Sequence, residues 1–107
     1  MKIKSLTIYC SSSQKIDKKF YKMAREIAEI ISKHKIKVIY GGGNRGLMGE
    51  IARTLIKLNR EVIGIIPKFL IKKEEANINI THLKIVPNMN KRKENLFKLG
   101  DAFLILP

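Results

Sequence analysis

Along the chain the spacing of apolar positions switches between a period near 2 and a period near 3.6, and these switches mark out the elements. Residues 3–10, Ile-Lys-Ser-Leu-Thr-Ile-Tyr-Cys, mix alternation with a β-rich apolar end and predict a first strand, followed by a turn at Ser11-Ser12-Ser13. From Asp17 to Lys33, Phe20, Met23, Ala24, Ile27, Ala28, Ile30 and Ile31 keep helical spacing, with Asp17 placed as an N-cap. Lys37-Val38-Ile39-Tyr40 predicts a short second strand that runs straight into Gly41-Gly42-Gly43-Asn44-Arg45-Gly46. Leu47 to Leu58 is helical again, with Asn59 as its stop, and Val62-Ile63-Gly64-Ile65-Ile66 is the continuous apolar run of a strand covered on both faces. Residues 68–81 read as irregular, with at most one helical turn around Phe69 to Lys72. Leu83 to Val86 predicts strand four, Asn88 to Leu99 a third helix closed by Gly100, and Ala102 to Leu106 strand five.

Strands alternating with helices predict an α/β fold: a Rossmann-like parallel sheet of about five strands, wound right-handed, with flanking helices. Residues 1–107 are expected to form a single nucleotide-binding domain. With a strand order of 3-2-1-4-5, the first two helices cover half of one face and the third covers the far half of the other. Strand five then lacks cover on one side, although a parallel sheet is stable only when both faces are buried. At about 25 cal/mol per Å² of wet apolar surface, a few hundred Å² costs several kcal/mol. The domain is therefore expected to be incomplete, truncated after strand five, or to borrow cover from a partner.

Composition narrows the setting. A chain of 107 residues with 45% apolar content supports one core, and the 29% of charged residues spread through it argue against a disordered basic tail. Lone Cys10 excludes an internal disulfide and points to a reducing, cytoplasmic setting. His34 and His82 lie far apart without Cys or Asp at ligand spacing, so no metal site is expected. No apolar stretch approaches the roughly 20 residues of a spanning helix, and no membrane association is expected. The net charge of +13 invites a nucleic-acid reading, but the lysines are scattered over every segment and no pattern of stacking aromatics accompanies them. A Lys-rich solvated surface is the expected outcome.

Ligands of open α/β sheets bind beyond the carboxyl ends of the strands, which nominates the loops after each strand. Glycines at 41–46 permit close backbone approach and precede a helix whose free N–H groups suit a phosphate; a tight strand-to-helix turn is the competing account. The hydroxyls of the serine turn suit a ribose or phosphate oxygen equally well. Met89-Asn90-Lys91-Arg92-Lys93 places three cations at a helix start, against the macrodipole, unless an anion compensates them. Glu74 and Glu75 sit in a loop able to fold over this rim, with nothing in the sequence to fix them there. No carboxylate stands out as a general acid or base.

Taken together, Cys10-Ser11-Ser12-Ser13, Val38 to Gly43 with Gly46-Leu47-Met48-Gly49, Val62 to Pro67, Met89 with Arg92-Lys93, and Asp101 to Pro107 resemble the LOG family. These are cytokinin riboside 5′-monophosphate phosphoribohydrolases, long labelled lysine decarboxylases; no lysine here is singled out for decarboxylase chemistry. The resemblance implies a Rossmann-like homodimer that hydrolyses the N-glycosidic bond of AMP or an N6-substituted relative, giving free base and ribose 5-phosphate without metal or nicotinamide. It implies Arg92 as the catalytic residue, with Ser12, Ser13, Gly41, Gly42, Gly43, Met89 and Lys93 binding the substrate and the phosphate gripped by glycine amides and Arg92. The family's P-G-G-x-G-T-x-x-E motif, with its catalytic Glu, would begin at Pro107. Other departures are Ser11 for Gly, and Asn90-Lys91 for His-Glu. The alternative reading is a non-catalytic module that binds nucleotides or single-stranded nucleic acid.

Overall fold

The computed structural model describes residues 2–107 except Ser12 and Gln14. Its elements are β1 (Ser5–Tyr9), α1 (Lys18–Lys33), β2 (Lys37–Tyr40), α2 (Gly46–Lys57), β3 (Val62–Pro67), a 3₁₀ turn (Lys68–Leu70), β4 (His82–Val86), α3 (Met89–Leu99) and β5 (Ala102–Ile105). Among the described residues, no helix is long and apolar enough to cross a membrane.

Local chemistry sets the helix ends. Asp17 accepts from the Lys19 amide at 3.0 Å and caps α1, and Asn88 accepts from the Lys91 amide at 2.9 Å and caps α3. Both α1 and α2 stop at a left-handed residue, Lys35 (φ 53°) and Asn59 (φ 58°). In each case the next amide reaches back to the helix, Ile36 to the Ile31 carbonyl and Arg60 to the Leu55 carbonyl, which satisfies carbonyls that the helix leaves open.

All five strands are parallel, in the order β4-β3-β2-β1-β5. This corrects the expected order 3-2-1-4-5. The connection between β3 and β4 contains only a 3₁₀ turn and a loop, so β4 lands beside β3, in register from Ile63↔His82 to Pro67↔Val86. The long step comes next. From β4 to β5 the chain crosses four strand spacings, about 19 Å, and α3, about 16 Å long, bridges most of that distance beneath the sheet.

The two faces consequently carry separate cores. On one, Ala24, Ala28 and Ile31 of α1 and Leu47, Ile51 and Leu55 of α2 pack with Val38, Tyr40 and Val62. On the other, Leu96 of α3 packs on Ile39, Ile65 and Val86. On the α3 face of β5, Ile105 is 78% exposed, and Phe97, 68% exposed, stacks on Phe103 at 5.4 Å between ring centroids. The wet face of β5 is thus the one toward α3; the pattern places the missing cover on the opposite side, where Leu104 and Leu106 instead pack against the α1–α2 core.

Polar bonds fasten the α3–β5 junction to β1. Thr7 donates its hydroxyl to the Leu96 carbonyl at 2.7 Å, and Ser5 donates to the Leu99 carbonyl at 3.0 Å. The Asp101 carboxylate accepts from the Lys4 and Ser5 amides at 2.9 and 3.2 Å. Gly100 lies so close to Thr7 that an added Cβ would stand 2.9 Å from the Thr7 nitrogen.

Two predictions follow from this junction. Thr7→Val leaves the Leu96 carbonyl without its partner in a buried position and is expected to cost about 1–3 kcal/mol in urea unfolding. The amides of Lys4 and Ser5 hold the Asp101 carboxyl below its usual range, so its contribution to stability is present above about pH 4 and is lost as pH falls through its lowered folded value. Unfolding midpoints of Asp101→Asn measured down the acid limb are expected to show a shallower pH dependence than those of the parent chain.

Candidate active site

At the carboxyl rim, the ends of β1 and β2, the start of α2, the 71–77 turn and the first turns of α3 enclose a cavity of about 260 Å³. Ile8 and Leu96 give it an apolar floor, and Cys10, Met48 and Met89 supply soft sulfur surface. Tyr9, Gly41, Glu74, Arg92 and Lys93 complete the wall.

Arg92 organises this place. It lies one turn into α3 and is only 6% exposed. Its Nε donates to the Ile65 carbonyl at 3.0 Å, and its Nη2 donates to the Gly41 carbonyl and to Glu74 Oε1, the latter at 2.7 Å. Met89 Sδ lies 3.9 Å from Nη1. The triple-glycine bend and Arg92 therefore share one rim and touch. A Cβ at Gly41 would collide with the guanidinium and stand 2.8 Å from Met48 Cε, so any side chain there would push those two tips aside.

The other two glycines serve the turn above them. Gly42 takes φ +81°, a region that favours glycine, and its carbonyl accepts from the Asn77 amide at 2.9 Å. Gly43 bridges Ala76, and a Cβ there would lie 2.8 Å from the Glu74 carbonyl. The Gly43 amide points at Met48 Sδ at 3.3 Å, the Asn44 amide donates to the Glu74 carbonyl at 3.1 Å, and the Met48 amide, in the first turn of α2, donates to the Ser11 carbonyl at 3.3 Å. These three amides, among them that of Gly43 in the glycine run, are engaged within the chain.

The cations at the start of α3 separate into three cases. Arg92 is buried against Glu74, Lys91 pairs with Glu94 at 3.2 Å, and Lys93 stays exposed at the cavity edge, without an ion pair among the described residues. Two of the three thus find the compensating anion that their position demands, and both anions come from the chain itself. Ser13 is exposed and belongs to a local turn: its amide donates to Ser11 Oγ at 2.9 Å and its Oγ accepts from the Lys15 amide at 3.2 Å. It is not part of the cavity wall. Ser12 falls outside the described residues. Burial pushes the Cys10 thiol up to about 12, which leaves it a protonated, unreactive wall group at neutral pH.

Glu74, read from the sequence only as part of a loop able to fold over the rim, does so and is fixed there by Arg92. Glu75 adopts φ 51°, and the turn sends adjacent carboxylates to different arginines, Glu74 to Arg92 and Glu75 to Arg45 at 3.2 Å. The only signal in the sequence was two successive acids in a Lys-rich loop. Their partners lie 18 and 30 positions away, beyond the reach of local spacing.

Comparison with known proteins follows the same lines. A family profile described as "Possible lysine decarboxylase" matches residues 48–107. A cytokinin riboside 5′-monophosphate phosphoribohydrolase of Rhodococcoides fascians is 34% identical over 105 residues, 97% of this chain and 53% of its own length. A probable enzyme of the same name from Arabidopsis thaliana is 35% identical over 106 residues, 99% of this chain and 53% of its own. The chain spans about half the length of these curated relatives. Among solved structures, the structural-genomics target TM1055 superposes with a TM-score of 0.80 at 18% identity, covering 96% of this chain and 60% of that one. The molybdenum cofactor carrier protein of Chlamydomonas reinhardtii superposes with 0.78 at 15% identity, covering 94% and 60%, and both likenesses speak for the shared fold. A profile that takes in more than half of the sequence makes the assignment direct: this chain belongs to the LOG family, the group whose profile carries the description "Possible lysine decarboxylase".

Proposed function

We propose that the carboxyl-rim cavity binds a nucleoside 5′-monophosphate and serves hydrolysis of its N-glycosidic bond, the activity named for the phosphoribohydrolase relatives. The substrate is AMP or an N6-substituted form. The bond from ribose C1′ to the base nitrogen breaks, water supplies the oxygen that bonds to C1′, and the base takes up the proton. The observation that carries this reading is Arg92, a buried cation fixed by three acceptors in the wall of a cavity lined mostly by apolar and sulfur-bearing side chains. Ribosyl transfer passes through an oxocarbenium-like centre, and a rigid donor beside it favours charge building up on the departing base. A carboxylate such as Glu74 nearby favours the positive ribose. A volume of about 260 Å³ lies just under the roughly 300–1,000 Å³ of typical ligand pockets, so it suits one portion of a nucleotide, with the rest extending over the rim.

In this reading Arg92 is the catalytic residue, Gly41, Gly42 and Gly43 form the close-packed wall behind it, and Met89 and Lys93 contact substrate from α3. Ser12 and Ser13 are assigned to binding by the family resemblance. The same resemblance supports a homodimer, and the single cysteine fits the reducing cytoplasm.

Calorimetric binding of AMP, together with chromatographic detection of free base from AMP or N6-isopentenyl-AMP, tests the proposal. Arg92→Ala is expected to abolish base release, lowering its rate by about 10² to 10⁴. Failure of the unsubstituted chain to bind AMP, or base release that survives Arg92→Ala, contradicts it. Gly41→Ala is expected to act on the same readout without removing any donor, because its methyl group displaces the guanidinium.

A further inference from the structure

The hydrogen bonds around Arg92 specify which part of a nucleotide can meet it. A guanidinium has five N–H donors. Arg92 gives its Nε–H to the Ile65 carbonyl and both hydrogens of Nη2 to the Gly41 carbonyl and Glu74 Oε1. Nη1 is left, and among the described residues its hydrogen-bonding neighbour is the weak thioether acceptor of Met89 at 3.9 Å. Glu74 accepts through Oε1 alone, so its second oxygen carries no hydrogen bond among the described residues. What Arg92 and Glu74 offer a ligand is one amino group and one anionic oxygen, locked together by the ion pair at 2.7 Å.

Such a unit is a poor phosphate site. Bidentate recognition of phosphate needs two parallel N–H groups of the fork, and two of the three guanidinium nitrogens are already engaged. The adjacent carboxylate repels a second anion, and the nearby amides of Gly43, Asn44 and Met48 are bonded internally. A vicinal diol matches instead, since each hydroxyl can donate to a carboxylate oxygen or accept from an amino group. In a nucleotide that group is the 2′,3′-diol of ribose.

We infer that Glu74 and Arg92 together form a ribose-diol reader, with Glu74 a specificity-determining residue, and that the phosphate lies outward, toward exposed Lys93. This inference rests on the nucleotide-binding reading above and replaces the expectation that Arg92 and the glycine amides grip the phosphate.

The test compares ligands on the full chain by calorimetry: AMP, 2′-deoxy-AMP and inorganic phosphate. Loss of one hydroxyl bonded to a charged group is expected to weaken 2′-deoxy-AMP by roughly 10- to 100-fold relative to AMP. Glu74→Gln, which keeps the side chain's shape, is expected to shrink that ratio to below about 3 while circular dichroism stays unchanged. Inorganic phosphate is expected to weaken with Lys93→Ala and to be indifferent to Arg92→Ala. Equal binding of AMP and 2′-deoxy-AMP overturns the inference while leaving nucleotide binding intact. A ratio untouched by Glu74→Gln removes Glu74 from the role, and phosphate binding that depends on Arg92 also contradicts it. Binding of none of the three ligands overturns the nucleotide reading and this one with it.

Discussion

A guanidinium buried to 6% exposure must find acceptors inside the protein, and Arg92 finds them on three separate pieces of chain: the Ile65 carbonyl of β3, the Gly41 carbonyl at the end of β2, and the Glu74 carboxylate of the 71–77 turn. Leaving a buried charge without its partner costs about 3–5 kcal/mol, a large part of a small domain's stability. The rim is therefore built around this side chain. A side chain at Gly41 would displace the guanidinium from its acceptors, and the turn bends so that Glu74 faces inward.

Magnitudes separate the two arginine–glutamate pairs that hold the turn. The side chains of Arg92 and Glu74 are 7% and 16% exposed, so their attraction is poorly screened. Those of Arg45 and Glu75 are 36% and 60% exposed, and such a surface pair contributes about 0–1 kcal/mol. Arg45 also donates to the Lys73 carbonyl at 3.1 Å and steadies the turn, but the inward pair decides its position. The division of cations along α3 follows the same logic. Burial selects the residue one turn in, on the face toward the sheet, and leaves Lys91 and Lys93 to solvent.

Much of this architecture was legible in the chain. Periodicity located the helices and strands because each buries a stripe or a face, and Asp17, Asn59 and Gly100 stand where helix ends need them. Strand order was not legible. It depends on where a loop without a full helix can reach, and residues 68–81 reach only the neighbouring strand, which sends α3 across the whole opposite face. The glycine run was visible as a place of close approach, but not what approaches: the Arg92 side chain and the backbone of the 74–77 turn lie there, and the Gly43 amide faces Met48. The loop carrying Glu74 was legible as able to fold over the rim, but what fixes Glu74 there is tertiary, an arginine on another element.

The central claim is that Glu74 and Arg92 form one energetically coupled unit that fixes the carboxyl rim. A double-mutant cycle in urea unfolding, with Glu74→Gln, Arg92→Met and the double variant, measures that coupling directly. The account predicts an interaction energy of at least about 1 kcal/mol, with the double variant less unstable than the sum of the singles. Effects that add to within about 0.3 kcal/mol would contradict it.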